Sequence, residues 1–400
     1  MRVIGCGTTR CWGLVLTIGM VIPGGLLMPR LIGQALPTPP VTTVPQTPAG
    51  SPAPAGVPPA AVPSPAAVPP KPVATVVWSE TIDVPDALDL ATTSSRVIAL
   101  LKDEDGTSRI EARELDSGKV AWTSARTGWQ AIDSDDTDVL AHRDDTLVAL
   151  DAADGRERWA VTVSGRVSHA TSVAGWVVIT GTDETVAVAR DTGQVVWRQK
   201  GPAAAARAAV AGALVTVGFA DRSLVGFSLT DGRVTWKREL PAVASYLTAG
   251  PATVYVTTAD GQLCAFRAPQ GQFLFCFNVR VPAAHPPMVA ERGVFAAFRD
   301  NALRSFDAES GALHRPVELG QRPAAGPFAA PGSVYVLLND GTALRVTLAG
   351  RVVTRIQVPY PSAASSVRLI QAAATVDGTG FAAWTVGPNG TPRLTVARLP

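Results

Sequence analysis

The chain has 400 residues and a formal net charge of +2 at neutral pH. Residues 1–72 carry four cations and no acid, so the remaining part of the chain, 73–400, carries a net charge of −2. A nucleic-acid-binding domain needs a basic face to neutralise phosphates, so this balance argues against a nucleic-acid partner. A chain of this length usually forms two or three domains, although a closed all-β fold can exceed the usual length of a single domain.

Residues 1–36 have the features of an export segment. Arg2 and Arg10 precede an apolar run at 12–28, and a small-residue GQA sequence follows it. A positive start, a short apolar core and a small-residue site are typical of a secretory signal peptide. The run of 17 residues also reaches the lower limit for spanning a bilayer. The sequence therefore predicts a signal peptide or a membrane anchor, and in either case an exported, extracytoplasmic protein.

Residues 37–72 form a Pro/Ala-rich segment that contains 14 prolines and no aromatic residue. Proline fixes φ and removes the backbone donor, so helix and sheet are excluded here. The segment is predicted to be a disordered linker, at most roughly 110 Å long when it is fully extended as polyproline II. It either serves as a stalk that holds the following domain away from a surface or is an inert connection.

The region 73–400 contains a short motif that returns about every 39 residues. The motif first appears as ARELDSGKVAW at 112–122, with a turn glycine and a tryptophan. Spacings of 37 to 40 residues separate its glycines, which are Gly118, Gly155, Gly193, Gly232, Gly271, Gly311 and Gly350. Near-equal intervals of this length indicate one repeat architecture rather than several domains.

A second set of turns lies about ten residues before each glycine turn. These turns are Asp105-Gly106, Asp144-Asp145, Asp183-Glu184, Asp221-Arg222, Asp260-Gly261, Asp300-Asn301, Asp340-Gly341 and Asn389-Gly390. Each lies between two alternating, β-branched runs, which is typical of a tight β-hairpin. Each period thus holds four strands, A to D, in which the Asp turn joins B to C and the Gly turn joins C to D.

The first and last strands complement each other. The chain ends after RLTVARL at 393–399, a C strand with no D strand after it, whereas ATVVWSETI at 74–82 is a D strand with no A, B or C before it. If these two strands pair, the sheet ring closes and no free edge remains. The sequence therefore predicts an all-β fold, an eight-bladed β-propeller over 73–400 with four-stranded blades, whose last blade is closed by the strand around Trp78.

The repeated tryptophans have a structural explanation. A flat indole ring packs well between neighbouring blades, and its N–H can reach a backbone acceptor. We therefore expect a docking role between blades, and no ligand role, for Trp78, Trp122, Trp159, Trp197 and Trp236. Phe275 keeps an aromatic ring at this position, whereas Arg315 and Thr354 do not. Blades 6 and 7 are accordingly expected to be docked more weakly.

This L-D-x-x-G-K-x-x-W pattern is similar to the tryptophan-docking repeat of the pyrroloquinoline-quinone-type propeller superfamily. That superfamily includes quinoprotein alcohol dehydrogenases and the propeller subunit of the outer-membrane β-barrel assembly machinery, and the chain resembles the latter more. The resemblance covers the repeat region and implies an eight-bladed fold. It implies little about activity, because the repeated residues serve packing.

The dehydrogenase members bind quinone and calcium above the channel, usually beside two adjacent cysteines. This chain has no Cys-Cys pair and no recognisable Glu, Asn and Asp ligand set with a catalytic Asp. The string at 100–112 fails as an EF-hand, because its first and twelfth positions are Leu101 and Ala112. The four histidines, His142, His169, His285 and His314, also lack ligand spacing. We therefore expect no enzyme activity, no metal site and no cofactor, including pyrroloquinoline quinone and calcium.

Cys264 and Cys276 lie on the predicted C and D strands of the fifth blade. A three-residue hairpin loop around Gly271 brings residues whose numbers sum to about 540 opposite each other, and these two cysteines meet that condition. In an exported protein such a pair forms a cross-strand disulfide. A register shift of one residue would separate the two cysteines.

In a propeller, the D–A connections and the B–C turns share one face. Candidate partner-binding or ligand-binding residues on this face are Arg126, Arg166, Arg207, Tyr246, His285 and Arg322. The first five are 39 to 41 residues apart, which predicts equivalent places near the strands that line the channel. A cationic ring at the channel mouth would suit an anionic ligand or an acidic loop. The alternative is a set of solvated arginines offset by the aspartates of the B–C turns.

Three classes of function follow. The first is a membrane-tethered, non-catalytic scaffold, monomeric as a closed ring, that binds another envelope or membrane protein. The second is a quinone- and calcium-dependent oxidoreductase, against which the missing cysteine pair and ligand set count. The third is a module that binds a cell-wall polymer or a small anion at the cationic mouth.

Overall fold

The computed structural model describes residues 72–348, 352–360 and 367–400. Within these ranges the regular structure consists of β-strands, which form eight antiparallel sheets of four strands each. Each sheet is one blade, and its strands A to D run outward from a central channel. The chain is therefore an eight-bladed β-propeller, which confirms the predicted fold class.

The first four blades use consecutive strands. Blade 1 comprises β2 (Asp86–Thr92), β3 (Arg96–Lys102), β4 (Ser108–Glu114) and β5 (Val120–Thr123). Blade 2 comprises β6 (Ala131–Ser134), β7 (Asp138–Arg143), β8 (Thr146–Asp151) and β9 (Glu157–Thr162). Blade 3 comprises β10 (Val167–Val173), β11 (Trp176–Gly181), β12 (Glu184–Ala189) and β13 (Val195–Lys200). Blade 4 comprises β14 (Ala209–Ala211), β15 (Leu214–Gly218), β16 (Ser223–Ser228) and β17 (Val234–Glu239).

The second half of the ring follows the same order until the last blade. Blade 5 comprises β18 (Ala244–Ala249), β19 (Thr253–Thr258), β20 (Gln262–Arg267) and β21 (Gln272–Asn278). Blade 6 comprises β22 (Met288–Ala290), β23 (Gly293–Ala297), β24 (Ala302–Asp307) and β25 (Val317–Glu318). Blade 7 comprises β26 (Pro323–Ala330), β27 (Ser333–Leu338), β28 (Ala343–Thr347) and β29 (Val352–Ile356). Blade 8 comprises β30 (Arg368–Ala374), β31 (Gly380–Val386), β32 (Pro392–Arg398) and, from the start of the described chain, β1 (Thr75–Thr81).

The pairing of β1 with β32 closes the ring. Thr75 lies opposite Arg398 and Trp78 lies opposite Val396. The seam is reinforced by Arg113 of blade 1, whose guanidinium contacts Glu80 on β1 at 2.5 Å. The outer strand of blade 8 therefore comes from the start of the domain and its three inner strands from the end. This shared blade joins the two ends of the ring.

The core consists of apolar layers between neighbouring blades. The B strands are buried almost throughout, as in β3 with Val97, Ile98 and Leu100. Successive strand residues point to opposite faces of a sheet, and in a propeller each face packs on another blade. Long apolar runs in the B strands are therefore what this fold requires.

The hairpin turns explain the repeated Asp residues. The Asp105 carboxylate accepts a hydrogen bond from the Thr107 backbone N–H at 2.8 Å, and Asp340 accepts one from Thr342 at 2.9 Å. Gly106 and Gly341, which follow these two aspartates, have positive φ, as the tight turn requires. The B–C turns thus use short carboxylate side chains to satisfy turn amides.

Blade 6 departs most from the repeat. Its outer strand β25 has two residues, and Arg315, at the position of the docking aromatic, lies before it and is exposed. The expectation that blades 6 and 7 dock more weakly stays a prediction, and Gly350 lies outside the described residues.

The predicted export segment, 1–36, and almost all of the predicted linker, 37–72, also lie outside the described residues. Within the ranges that are described, no helix has the length and apolar character needed to cross a membrane.

Candidate functional site

The inner strands β2, β6, β10, β14, β18, β22, β26 and β30 surround the central channel. Consecutive strands of a blade run in opposite directions, so the D–A connections and the B–C turns lie on the same face of the propeller. We call it the mouth face. The A–B and C–D turns lie on the other. The candidate site is the part of the channel next to the mouth face.

Arg126 and Arg166 point away from the channel and form ion pairs at the rim. Arg126 contacts Glu157 on the outer strand β9 at 3.0 Å, and Arg166 lies 3.7 Å from Asp144 in a B–C turn. Both arginine side chains are more than half exposed. Their equal spacing in sequence therefore does not place them in the channel.

Arg207 does enter the channel. It lies just before β14 of blade 4, and its guanidinium forms an ion pair with Asp133 on β6 of blade 2. The pair spans the intervening blade 3, on which His169 lines the same small cavity as Asp133 and Arg207. Arg207 thus bridges two inner strands.

The other three candidate residues lie further around the ring. Tyr246 lies on β18 and donates from its hydroxyl to the carbonyl oxygen of Ala284 at 3.2 Å. His285 lies just before β22, with its Nε2 3.3 Å from the carbonyl oxygen of Pro323. Arg322 is exposed and lies immediately before β26, where it acts electrostatically on His285. The side chains of Tyr246 and His285 are held by backbone carbonyl groups, and neither continues a cationic ring.

The channel histidines favour the neutral form. Burial, followed by the charge of Arg207, lowers the pKa of His169 to about 4. The same two causes, in that order, lower the pKa of His142, and burial lowers the pKa of His285. At neutral pH these imidazoles therefore add no positive charge to the channel.

Two carboxylates in the channel were not singled out from the sequence. Asp133 and Asp89 lie on neighbouring inner strands, β6 and β2. Removal from bulk water raises the pKa of each carboxyl group, against the opposing effect of Arg207. With one guanidinium for two carboxylates, the inner part of the mouth is acidic when both are ionised. Of the candidate arginines, Arg207 enters this cluster, whereas the pairing of Arg166 with Asp144 in a B–C turn agrees with the alternative of solvated arginines offset by aspartates.

The predicted docking residues lie between blades, each on the C–D turn of the next blade. The indole N–H of Trp78 donates to the Leu115 carbonyl oxygen at 2.8 Å, and that of Trp122 donates to the Ala152 carbonyl oxygen at 3.1 Å. The same contact recurs at 2.6 to 2.7 Å for the remaining three, Trp159 with Arg190, Trp197 with Leu229 and Trp236 with Ala268. All five rings are buried. Each contact joins the tryptophan of one blade to the C–D turn of the next, which gives the repeated tryptophan a packing role at every one of these junctions.

Blades 2 and 3 also share an ion-pair cluster. Asp138 at the start of β7 is almost fully buried, and its carboxylate contacts Arg158 at 2.5 Å and Arg190 at 2.8 Å. Arg190 thus contributes twice to this junction, with its carbonyl to Trp159 and with its side chain to Asp138. The sequence repeat does not predict this cluster, because its residues occur at one junction and are not repeated at the others.

Cys264 and Cys276 occupy opposite positions on β20 and β21. Their Cα atoms are 4.0 Å apart and a disulfide joins them. The register is therefore the one that the hairpin around Gly271 predicted. Elsewhere in the described ranges, no three His, Cys, Asp or Glu side chains are grouped so that they could hold a metal ion.

The closed ring of four-stranded blades and the docking tryptophans define the class of protein, an eight-bladed propeller of the pyrroloquinoline-quinone-like type. Residues 106–250 and 243–390 match the family described as outer membrane protein assembly factor BamB. Because the matched residues span more than half of the sequence, the chain belongs to this family.

Solved structures support the fold. The crystal structure of BamB from Moraxella catarrhalis has a TM-score of 0.59 at 17% identity, over 82% of this chain and 98% of that one. The computationally designed Ika8 protein has a TM-score of 0.66 at 14% identity, over 81% and 100%. The C-terminal WD40 domain of Sif2 has a TM-score of 0.62 at 10% identity, over 82% and 99%. At these identities the likeness concerns the fold alone, and no curated protein matches the sequence.

Proposed function

We propose that the protein is an exported, membrane-tethered propeller that binds another protein of the cell envelope and performs no catalysis of its own. The observation that carries this proposal is the family match over 106–390, since the family is described by an assembly factor and not by an enzyme. The export-type sequence at 1–36 and the proline-rich segment after it support a tethered location.

The strand directions favour the mouth face as the binding surface. β1 begins opposite the end of β32, so residue 72 lies at the face with the C–D turns. The mouth face is on the opposite side from the attachment of the linker. A partner can therefore approach it while the N-terminal segment is held at a membrane.

The mouth face carries charges of both signs at its rim. The pairs Arg166–Asp144 and Arg222–Glu239 are exposed, with Asp145 and Asp183 in the neighbouring B–C turns. Mixed charge gives orientation and selectivity to a protein contact more than raw affinity. We propose that the partner has a complementary charged surface and that neither pyrroloquinoline quinone nor calcium is needed.

Photo-crosslinking from each face tests this proposal. A photoreactive residue is placed in the full-length protein at Asp145 or Glu239 on the mouth face, and at Ser117 or Asp154 on the opposite face. We expect the mouth-face positions to capture one reproducible envelope protein in living cells and the opposite positions to capture none. The proposal would be overturned if no position on either face gave a crosslinked product while a known envelope complex was captured in parallel.

A further inference from the structure

We infer that a recess in the channel wall, formed by blades 1, 6, 7 and 8, binds a primary ammonium group on an unbranched alkyl chain, with Asp89 as its counter-ion. The chemical class is that of a free alkylamine or of a lysine side chain. This site is separate from the rim of the mouth face and does not depend on the partner proposed above.

The Asp89 carboxylate lacks a paired cation. One oxygen accepts the backbone N–H of Leu90 at 2.9 Å, and the other accepts that of Ile132 at 3.3 Å. Asp89 takes part in none of the ion pairs of the described residues, and the nearby guanidinium of Arg207 is bonded to Asp133 instead. A half-buried carboxylate without a paired cation is destabilising, so a cationic ligand would be stabilising here.

One part of the recess wall is apolar and suits an alkyl chain. The recess has a volume of about 410 Å³, and it is lined by Pro286, Pro287 and Pro327 together with Met288 and Phe328. This volume is within the usual range of small-ligand sites. An alkyl stem would lie against the prolines, and the Phe328 ring can also attract a cation through its π face.

The recess offers two separate acceptors to a compact cation. Each Asp89 oxygen holds one backbone N–H and keeps a further lone pair, so the carboxylate can still accept a hydrogen bond from a ligand. Gln371 lines the same recess, and its Nε2 donates to the Leu88 carbonyl oxygen at 3.3 Å. Its amide oxygen therefore remains as a second acceptor for a compact cation with three donors.

The other cations near the recess do not neutralise Asp89. Burial, and then the charges of Arg299 and Arg322, lower the pKa of His285. His285 lines the recess just before blade 6, whereas Asp89 lines it from blade 1. The charged side chains that act on Asp89 itself are Arg207 and Asp133, and these two are paired with each other. The negative charge of Asp89 is therefore available to a ligand.

The experiment is a titration of the purified full-length protein with n-pentylammonium, 1-pentanol and pentanoate, followed by ligand-detected NMR. These probes share one stem and differ in charge. We expect pentylammonium to bind with a dissociation constant in the millimolar range and the other two to bind about tenfold more weakly. Asp89→Asn should weaken pentylammonium binding about tenfold, whereas Asp86→Asn, an exposed change on the same strand, should leave it unchanged.

Gln371→Met provides a second test if Asp89→Asn impairs folding, and it should weaken binding severalfold. Equal binding of pentylammonium and pentanol, or unchanged binding in both variants, would overturn the inference. Nα-acetyl-lysine amide distinguishes the two sources: tighter binding than pentylammonium indicates a lysine of a protein, and weaker binding indicates a free amine. Because the titration uses the isolated protein, its outcome is independent of the crosslinking result.

Discussion

The phenolic oxygen of Tyr255 donates a hydrogen bond of 2.8 Å to the carbonyl oxygen of Ala308. Ala308 lies three residues before Gly311, which is the position of the backbone acceptor at each tryptophan-docked junction. At this junction the docking aromatic is Phe275, which has no N–H to donate. Tyr255, on strand β19 of the same blade, therefore supplies the missing donor from a different strand.

Tyr255→Phe should lower the free energy of unfolding by about 1 kcal/mol, because the buried junction loses one hydrogen bond and the Ala308 carbonyl loses its donor. Equilibrium denaturation of the purified protein measures this change. Tyr335→Phe is the matched control, since Tyr335 is a similarly buried tyrosine whose hydroxyl has no hydrogen-bond partner in the described ranges. It should change stability by less than the Tyr255 substitution.

A second substitution tests whether the two donors are equivalent. In the Tyr255→Phe background, Phe275→Trp restores an indole N–H at the docking position and should recover part of the lost stability. If Tyr255→Phe is as mild as Tyr335→Phe, the hydrogen bond to Ala308 does not serve the junction.

The repeat could be predicted from sequence because each copy satisfies the same local requirement. The turn glycines and tryptophans predicted the blade count, and the incomplete first and last periods predicted the closure at Trp78. The role of Tyr255 could not be found in this way, since it compensates for one exception at a position that does not repeat. The side chains of Arg126 and Arg166 point towards the nearby acids Glu157 and Asp144. The equal spacing of the arginines in the sequence does not predict where their side chains point.

Gly155→Ala should destabilise the protein more than Gly175→Ala. Both glycines have positive φ, +74° and +87°, so both variants incur about 1–2 kcal/mol of backbone strain. A Cβ atom at Gly155 would also lie 2.6 Å from the Trp122 ring, whereas nothing lies within 4 Å at Gly175. The difference between the two melting temperatures therefore reports the close packing of the docking ring. Equal losses would mean that the ring can move away without cost.

The Cys264→Ser/Cys276→Ser double variant should be less stable than the oxidised protein by about 3 kcal/mol, because the disulfide closes a short loop and restricts the unfolded chain. Thermal unfolding with and without a reductant measures the difference. The reductant should lower the melting temperature of the wild type to that of the double variant and should leave the double variant unchanged. A wild type that is insensitive to reduction would contradict a stabilising role.

Acidification should destabilise the propeller through its buried channel histidines. The pKa of His169 is lowered from 6.5 to about 4 in the folded protein, chiefly by burial. Between these two values the unfolded chain binds more protons, so stability is full above pH 6.5 and is lost as the pH falls towards 4. For His169 alone the loss between pH 7 and pH 5 is about 2 kcal/mol.

The change of stability with pH, measured by denaturation at pH 7 and at pH 5, isolates this contribution. His169→Gln removes the titrating group, so the variant should lose less stability than the wild type over this interval. His314→Gln replaces an exposed histidine and should keep the wild-type dependence. The raised pKa values of Asp89 and Asp133 act in the opposite direction, but they are present in all three proteins and largely cancel in the comparison. Parallel curves for the wild type and His169→Gln would show that this imidazole accepts its proton in the folded channel as readily as in water.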